Sequence, residues 1–110
     1  MTERLEKMRM ELRRGVLVLA VLATLREEHY GYSLRKKLRA VNMEIEEGTL
    51  YPLIRRLETY GLLSSEWREN DGRRKRYYKT SAEGEALLGA LRGEWRSMNG
   101  SLKTILEDGK

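Results

Sequence analysis

Glu47-Gly48-Thr49-Leu50-Tyr51-Pro52-Leu53-Ile54-Arg55-Arg56-Leu57-Glu58-Thr59-Tyr60-Gly61 is the stretch on which the fold turns. Leu50, Leu53, Ile54 and Leu57 recur at intervals of three and four, the spacing of one buried helix face. The pattern predicts a helix over Glu47 to Tyr60, with Gly61 as its C-cap glycine. The opposite face carries Gly48, Pro52, Arg55 and Thr59, flanked by Thr49, Tyr51 and Arg56. A helix that enters the major groove of DNA needs this mixture. Hydroxyls and guanidiniums donate to base edges and phosphates, while small or apolar groups meet the thymine methyl. Pro52 has no N–H to donate and lies a few residues inside the helix, which calls for a loose first turn.

Upstream, Tyr30 to Val41 puts Leu34, Leu38 and Val41 on one side and Arg35, Lys36, Lys37 and Arg39 around the rest. This is a short basic helix, joined to the third through a turn at Asn42 to Glu46. Thr2 to about Leu25 has two apolar stripes at helical spacing. One is Leu5, Met8, Leu12, Val16, Leu19 and Ala23, and the other is Leu17, Val18, Val21, Leu22 and Leu25. A helix with two apolar faces needs two partners.

Downstream, Leu62 to Arg68 and Lys75 to Thr80 flank the turn signal Asn70-Asp71-Gly72 and read as a hairpin. Its tip, Gly72-Arg73-Arg74-Lys75-Arg76, reads as a mobile loop carrying four consecutive positive charges. Thr80 or Ser81 is placed to cap a last helix, with Glu83 completing a capping box. From Ala82 to Glu107 that helix would be about 39 Å long. Leu88, Leu91, Trp95, Met98, Leu102 and Ile105 form a heptad seam along it, larger than one small domain covers. The expected dimer interface is this seam together with Leu5 and Met8. Gly89, Gly93 and Gly100 fall away from the seam on a solvent face, and Asn99-Gly100 is the expected weak point, with three outcomes open after Met98: an unbroken helix, a kink, or a second short helix.

The bulk composition agrees. A chain of 110 residues suits one compact domain, and 22 Lys plus Arg against 17 Asp plus Glu, net +5, makes a polyanion the first partner to consider. With no Cys there are no disulfides or thiolate metal sites. The longest apolar run, Val16 to Leu25, is too short for a bilayer, and a charged flank replaces the small residues of a signal cleavage site. The expected setting is cytoplasmic, with no membrane, cofactor or metal. An enzyme is disfavoured. His29 is the only histidine and reads as a helix-start residue, and Ser33, Ser64 and Ser65 lack an arranged base.

Tyr30-Gly31-Tyr32-Ser33-Leu34, the block Gly48-Thr49-Leu50-Tyr51-Pro52-Leu53 with Arg55-Arg56-Leu57-Glu58 and Gly61-Leu62-Leu63, then Trp67 and Gly72-Arg73-Arg74-Lys75-Arg76-Tyr77-Tyr78 resemble the PadR family of bacterial transcriptional regulators. The single C-terminal helix is similar to the compact branch of that family, which includes multidrug-binding repressors. The resemblance implies a mostly α fold with a small β-hairpin: a winged helix-turn-helix over residues 1–80, its N-terminal helix included, and a dimerisation helix over 81–110. It further implies a homodimeric, ligand-responsive repressor on an inverted-repeat operator. The DNA-binding residues would be Tyr32, Thr49, Tyr51, Pro52, Arg55, Arg56, Arg73, Arg74, Lys75 and Arg76. Trp95 matches the tryptophan that stacks planar hydrophobic ligands in the drug-binding members, with Leu12, Val16 and Asn99 nearby. Two departures stand out. Tyr30 replaces the His of a His-Gly-Tyr motif, and Arg92, one turn before Trp95, puts a long cation where a flat cavity wall is expected. The competing reading is a winged helix used for protein contact or for non-specific architectural DNA binding.

Overall fold

The computed structural model describes residues 2–108. It contains α1 (Thr2–Thr24), β1 (His29–Tyr30), α2 (Gly31–Arg39), α3 (Glu47–Thr59), β2 (Leu63–Asn70), β3 (Arg73–Thr80) and α4 (Ala82–Asp108). The fold is mostly helical, with one small antiparallel sheet in the order β1-β3-β2.

Each helix forms because its apolar stripe has somewhere to go. Leu17, Val21, Leu22 and Leu25 of the first segment meet Leu34 and Leu38 of α2, Leu50, Leu53, Ile54 and Leu57 of α3, Leu63 of β2 and Leu88 of α4 in one core. Burying each such side chain contributes roughly 1.5 to 3 kcal/mol relative to leaving it in water. Asn42, at φ 63°, turns the chain after α2, and Gly61, at φ 79°, turns it after α3. Pro52 faces solvent and α3 runs through it unbroken. At the N-terminus of α3 the carbonyl of Glu46 accepts from both Thr49 and Leu50, so the first turn is tightened rather than loosened.

Three expectations are corrected here. The sheet has a third strand, β1, whose His29 and Tyr30 pair with Tyr78 and Tyr77, so α2 begins at Gly31 rather than Tyr30. The hairpin pairs all the way from Leu63↔Thr80 to Asn70↔Arg73. Only Asp71 and Gly72 are left as a turn, at φ 54° and 75°, the two positive values a type I′ hairpin needs. Arg73 to Arg76 therefore lie on a strand, not on a mobile loop. Finally, α4 runs as one helix through Asn99-Gly100, with no second helix after Met98.

The sheet's inner end is tied to the helices by hydroxyls. The Thr80 hydroxyl donates to the Leu22 carbonyl at 2.7 Å, and the Thr80 N–H donates to Leu25 O at 2.8 Å. Ser81 caps α4, its Oγ accepting from the Gly84 N–H at 3.0 Å and donating to Gly61 O at 2.7 Å. The third helical position is thus Gly84, and Glu83 makes no capping box. Gly84 is buried because α4 starts directly against the backbone: a Cβ there would collide with the carbonyl oxygen of Leu62.

Candidate nucleic-acid interface

On α3, Gly48, Pro52, Arg55, Arg56 and Thr59 are exposed, whereas Thr49 and Tyr51 are half-buried. Tyr51 has a structural task. Its ring lies so close to the first turn of α2 that a Cβ on Gly31 would sit 2.7 Å from both Tyr51 Cε1 and Oη. The two helices of the helix-turn-helix are further joined by Arg35, which donates to Glu47 Oε1 at 2.8 Å. Tyr32 is 54% exposed at the start of α2, with the Lys36 ammonium 5.8 Å from its ring.

The pleat of the wing divides its cations. Trp67 pairs across the ladder with Arg76, and Glu69 with Arg74, and on this face both guanidiniums stand over the Trp67 ring, at 5.0 Å and 5.3 Å. On the other face Lys75 lies 4.3 Å from the centre of the Tyr30 ring, which packs edge-on against Tyr77 at 5.5 Å. Cation–π contacts of this kind contribute roughly 0.5 to 1 kcal/mol when exposed. Arg68 stands directly opposite Lys75, a like-charge pair that would destabilise the hairpin. Glu28 and Glu66 both accept from Arg68. Hydrogen bonding to Glu28, and then to Glu66, holds the Arg68 guanidinium above its already high ordinary pKa, so its charge is answered locally.

Sequence reasoning missed the joint between wing and reader helix. Glu58, near the end of α3, accepts from Ser65 Oγ on β2 and from Arg76 Nη2 on β3, the latter at 3.2 Å. Arg76 is thereby a positioning residue as much as a candidate phosphate contact, while Arg73 and Arg74 are exposed and engage no carboxylate among the described residues. Glu58 stood inside the quoted block, but nothing in its spacing announces a partner seven residues on and another eighteen residues on. Burial raises the pKa of the adjoining Tyr78 phenol.

The structure does bring a histidine to a serine: His29 Nδ1 lies 3.1 Å from Ser33 Oγ. That hydroxyl accepts from the Tyr30 N–H and donates to the Tyr30 carbonyl. The hydroxyl thus bridges the Tyr30 N–H and carbonyl, and the cluster shapes the start of α2. Among the described residues no group of acidic or imidazole side chains is arranged to hold a metal ion, and no helix is long and apolar enough to cross a membrane.

A family model described as "Transcriptional regulator PadR-like family" matches residues 18–90, from α1 through the wing into α4. The chain belongs to the PadR family of transcriptional regulators. Its fold superimposes on a PadR family transcriptional regulator from Eggerthella lenta with TM-score 0.88 and 42% identity, covering 96% of this chain and 95% of the other. A PadR-like transcription factor from Bacteroides fragilis aligns with TM-score 0.76 and 35% identity, over 90% and 98% of the two chains. "Transcriptional regulator Rv3488" of Mycobacterium tuberculosis is 43% identical over 61 residues, which are 56% of this chain and 57% of that relative. PadR-like regulators are not enzymes, and the winged-helix architecture expected from the sequence is the one found.

The remaining sequence-selected residues of this PadR-like chain distribute over α1 and α4. Leu88 lies in the chain's own core and Leu91, half-buried, packs against it, so the seam's first member is covered and its second partly so. Leu5, Met8, Leu12, Trp95, Met98, Leu102 and Ile105 are exposed. Val16 and Trp95 line one hollow between α1 and α4, whereas Asn99 lines a different one farther along α4 and Leu12 lines neither.

Proposed function

We propose that this PadR regulator is a ligand-responsive repressor that holds an inverted-repeat operator as a homodimer, with α3 in the major groove and the wing on the backbone. The observation that carries the reading is the Glu58–Ser65–Arg76 joint. It fixes the exposed donor face of α3 and the cationic strand β3 as one unit, and two coupled elements of this kind fit a grooved polyanion. The uncovered apolar residues at the outer ends of α1 and α4 support pairing of two chains, since exposed apolar surface of this extent marks an interaction face. A hollow of about 450 Å³ bearing Trp95 supports an effector site. An effector releases DNA only to the extent that it binds the DNA-free arrangement more tightly.

Selection from a random duplex library at about 0.15 M salt tests the core of the proposal. The expected product is a two-fold inverted repeat whose affinity falls steeply with salt. Recovery of no enriched sequence, or of binding indifferent to salt, overturns it and favours a protein-contact role for the wing.

A further inference from the structure

The wing treats Arg68 and Arg74 differently. Arg68 lies 4.9 Å from the Tyr77 ring, and its N–H donors are also spent on Glu28 and Glu66. Arg74 stands on the opposite face of the hairpin, directly across from Glu69. That glutamate is exposed and well placed for a cross-strand ion pair, yet among the described residues none forms between the two. Instead the Arg74 guanidinium reaches diagonally to stand over the Trp67 ring at 5.0 Å. Diagonal neighbours on antiparallel strands are roughly 7 to 8 Å apart, within reach of a long side chain and a large ring. Arg76, directly across from Trp67, lies over the same ring at 5.3 Å and also donates to Glu58. Arg76 therefore has a carboxylate as well as the ring, whereas Arg74 has the ring and no carboxylate.

A ring does for an arginine what a carboxylate does not. A carboxylate neutralises the guanidinium and occupies its N–H donors, whereas an aromatic face attracts the charge and leaves those donors open to an oxyanion. The ring also limits the rotamers of a long side chain, so less freedom is lost when the donors are engaged. At 51% exposed, Trp67 takes no part in the hydrophobic core, so core packing does not account for it. We propose that Trp67 is a positioning residue for phosphate binding by the wing: its ring holds Arg74 in place with the charge intact and the N–H donors unspent. This rests on the DNA-binding reading above and adds to it a residue that carries no charge and makes no phosphate contact of its own.

The test is the affinity of the full-length protein for a labelled duplex of mixed sequence, read by fluorescence anisotropy at about 0.05 M salt, where phosphate contacts dominate. Trp67→Val keeps a strand-favouring residue but removes the ring, and should weaken binding at least about threefold. Trp67→Phe keeps a ring face and loses the indole N–H, and should stay within about twofold of wild type. Placed in an Arg74→Gln protein, Trp67→Val should cost less than about twofold further, because the residue it positions is gone. The thermal midpoint, followed by circular dichroism, should hold across the series. A Trp67→Phe protein as weak as Trp67→Val overturns the proposal by making the indole N–H itself the contact. An undiminished loss in the Arg74→Gln protein overturns it by showing that the ring does not act through Arg74. A midpoint that falls in step with affinity overturns it by making Trp67 a structural residue of the hairpin. Salt-dependent binding that Trp67→Val leaves unchanged overturns this proposal alone. If the wild-type protein binds the duplex without salt dependence, or not at all, the DNA-binding reading falls, and this proposal with it.

Discussion

Gly84→Ala and Gly89→Ala are the same substitution on the same helix, yet the structure assigns them opposite signs. Alanine is favoured over glycine in a helix interior by roughly 1 kcal/mol, and at Gly89 a new Cβ meets nothing within 4 Å. That variant should gain close to the full amount. At Gly84 the new methyl would overlap the Leu62 carbonyl and lie 2.7 Å from Thr80 Cγ2. A carbonyl cannot rotate aside as a side chain can. Leu62 O already accepts the Ser81 N–H at 3.0 Å, so the first turn of α4 would have to lift off and carry Leu88 from the core. Overpacking of this kind costs about 1 to 3 kcal/mol or more, which exceeds the helical gain. The helical gain is common to both, so the two variants should differ by the overpacking cost, about 1 to 3 kcal/mol or more, or some 4 to 12 °C or more in Tm at about 4 °C per kcal/mol for a chain near this size. Thermal and urea unfolding followed by circular dichroism gives both numbers, with protein concentration held equal because association shifts apparent stability. A Gly84→Ala protein as stable as Gly89→Ala would refute the close approach of α4 to the Leu62 backbone.

Other expectations concern the interface. Arg55→Ala should lose about 1 to 3 kcal/mol of discrimination between selected and scrambled duplexes, read by fluorescence anisotropy; a uniform loss on both would make Arg55 a phosphate contact instead. Arg73→Ala should weaken both duplexes alike and reduce the slope of log K against log salt by about 0.9, the share of one phosphate. An unchanged slope would remove Arg73 from the contact set. Gly31→Ala should destabilise the protein by pushing the Tyr51 ring off α2, and combining it with Tyr51→Ala should recover a coupling energy on the order of 0.5 to 3 kcal/mol. Strict additivity in that cycle would show that the two sites do not touch.

The apolar stripe of α3 was readable because Leu50, Leu53, Ile54 and Leu57 all point into one core, so local spacing and tertiary burial say the same thing. The wing was harder. Four adjacent cations have low strand preference by themselves, and their pairing depends on Trp67, Tyr30 and Tyr77, which give the charges aromatic faces to lie on. β1 is two residues long and has no alternation to detect. It exists because β3 offers it an edge. Helix α4 runs on through Asn99-Gly100 because the glycine there costs only about 1 kcal/mol, too little to stop a long helix without a proline. Glu58 and Gly84 were invisible for one reason. The significance of each lies in a neighbour distant in sequence, Arg76 for the first and Leu62 for the second.

The pleat of β3 also decides what kind of polyanion suits this protein. Side chains two apart on a strand stand roughly 6.8 Å from one another on the same side, so the run Arg73 to Arg76 is two pairs facing opposite ways. A flat anionic sheet, such as a membrane surface, would engage one pair and leave the other in water. Negative charge on both flanks, as two backbones bordering a narrow groove supply, reaches both pairs, although Arg76 is already shared with Glu58. On the operator-binding reading proposed above, the strand's geometry would act as a filter on target shape.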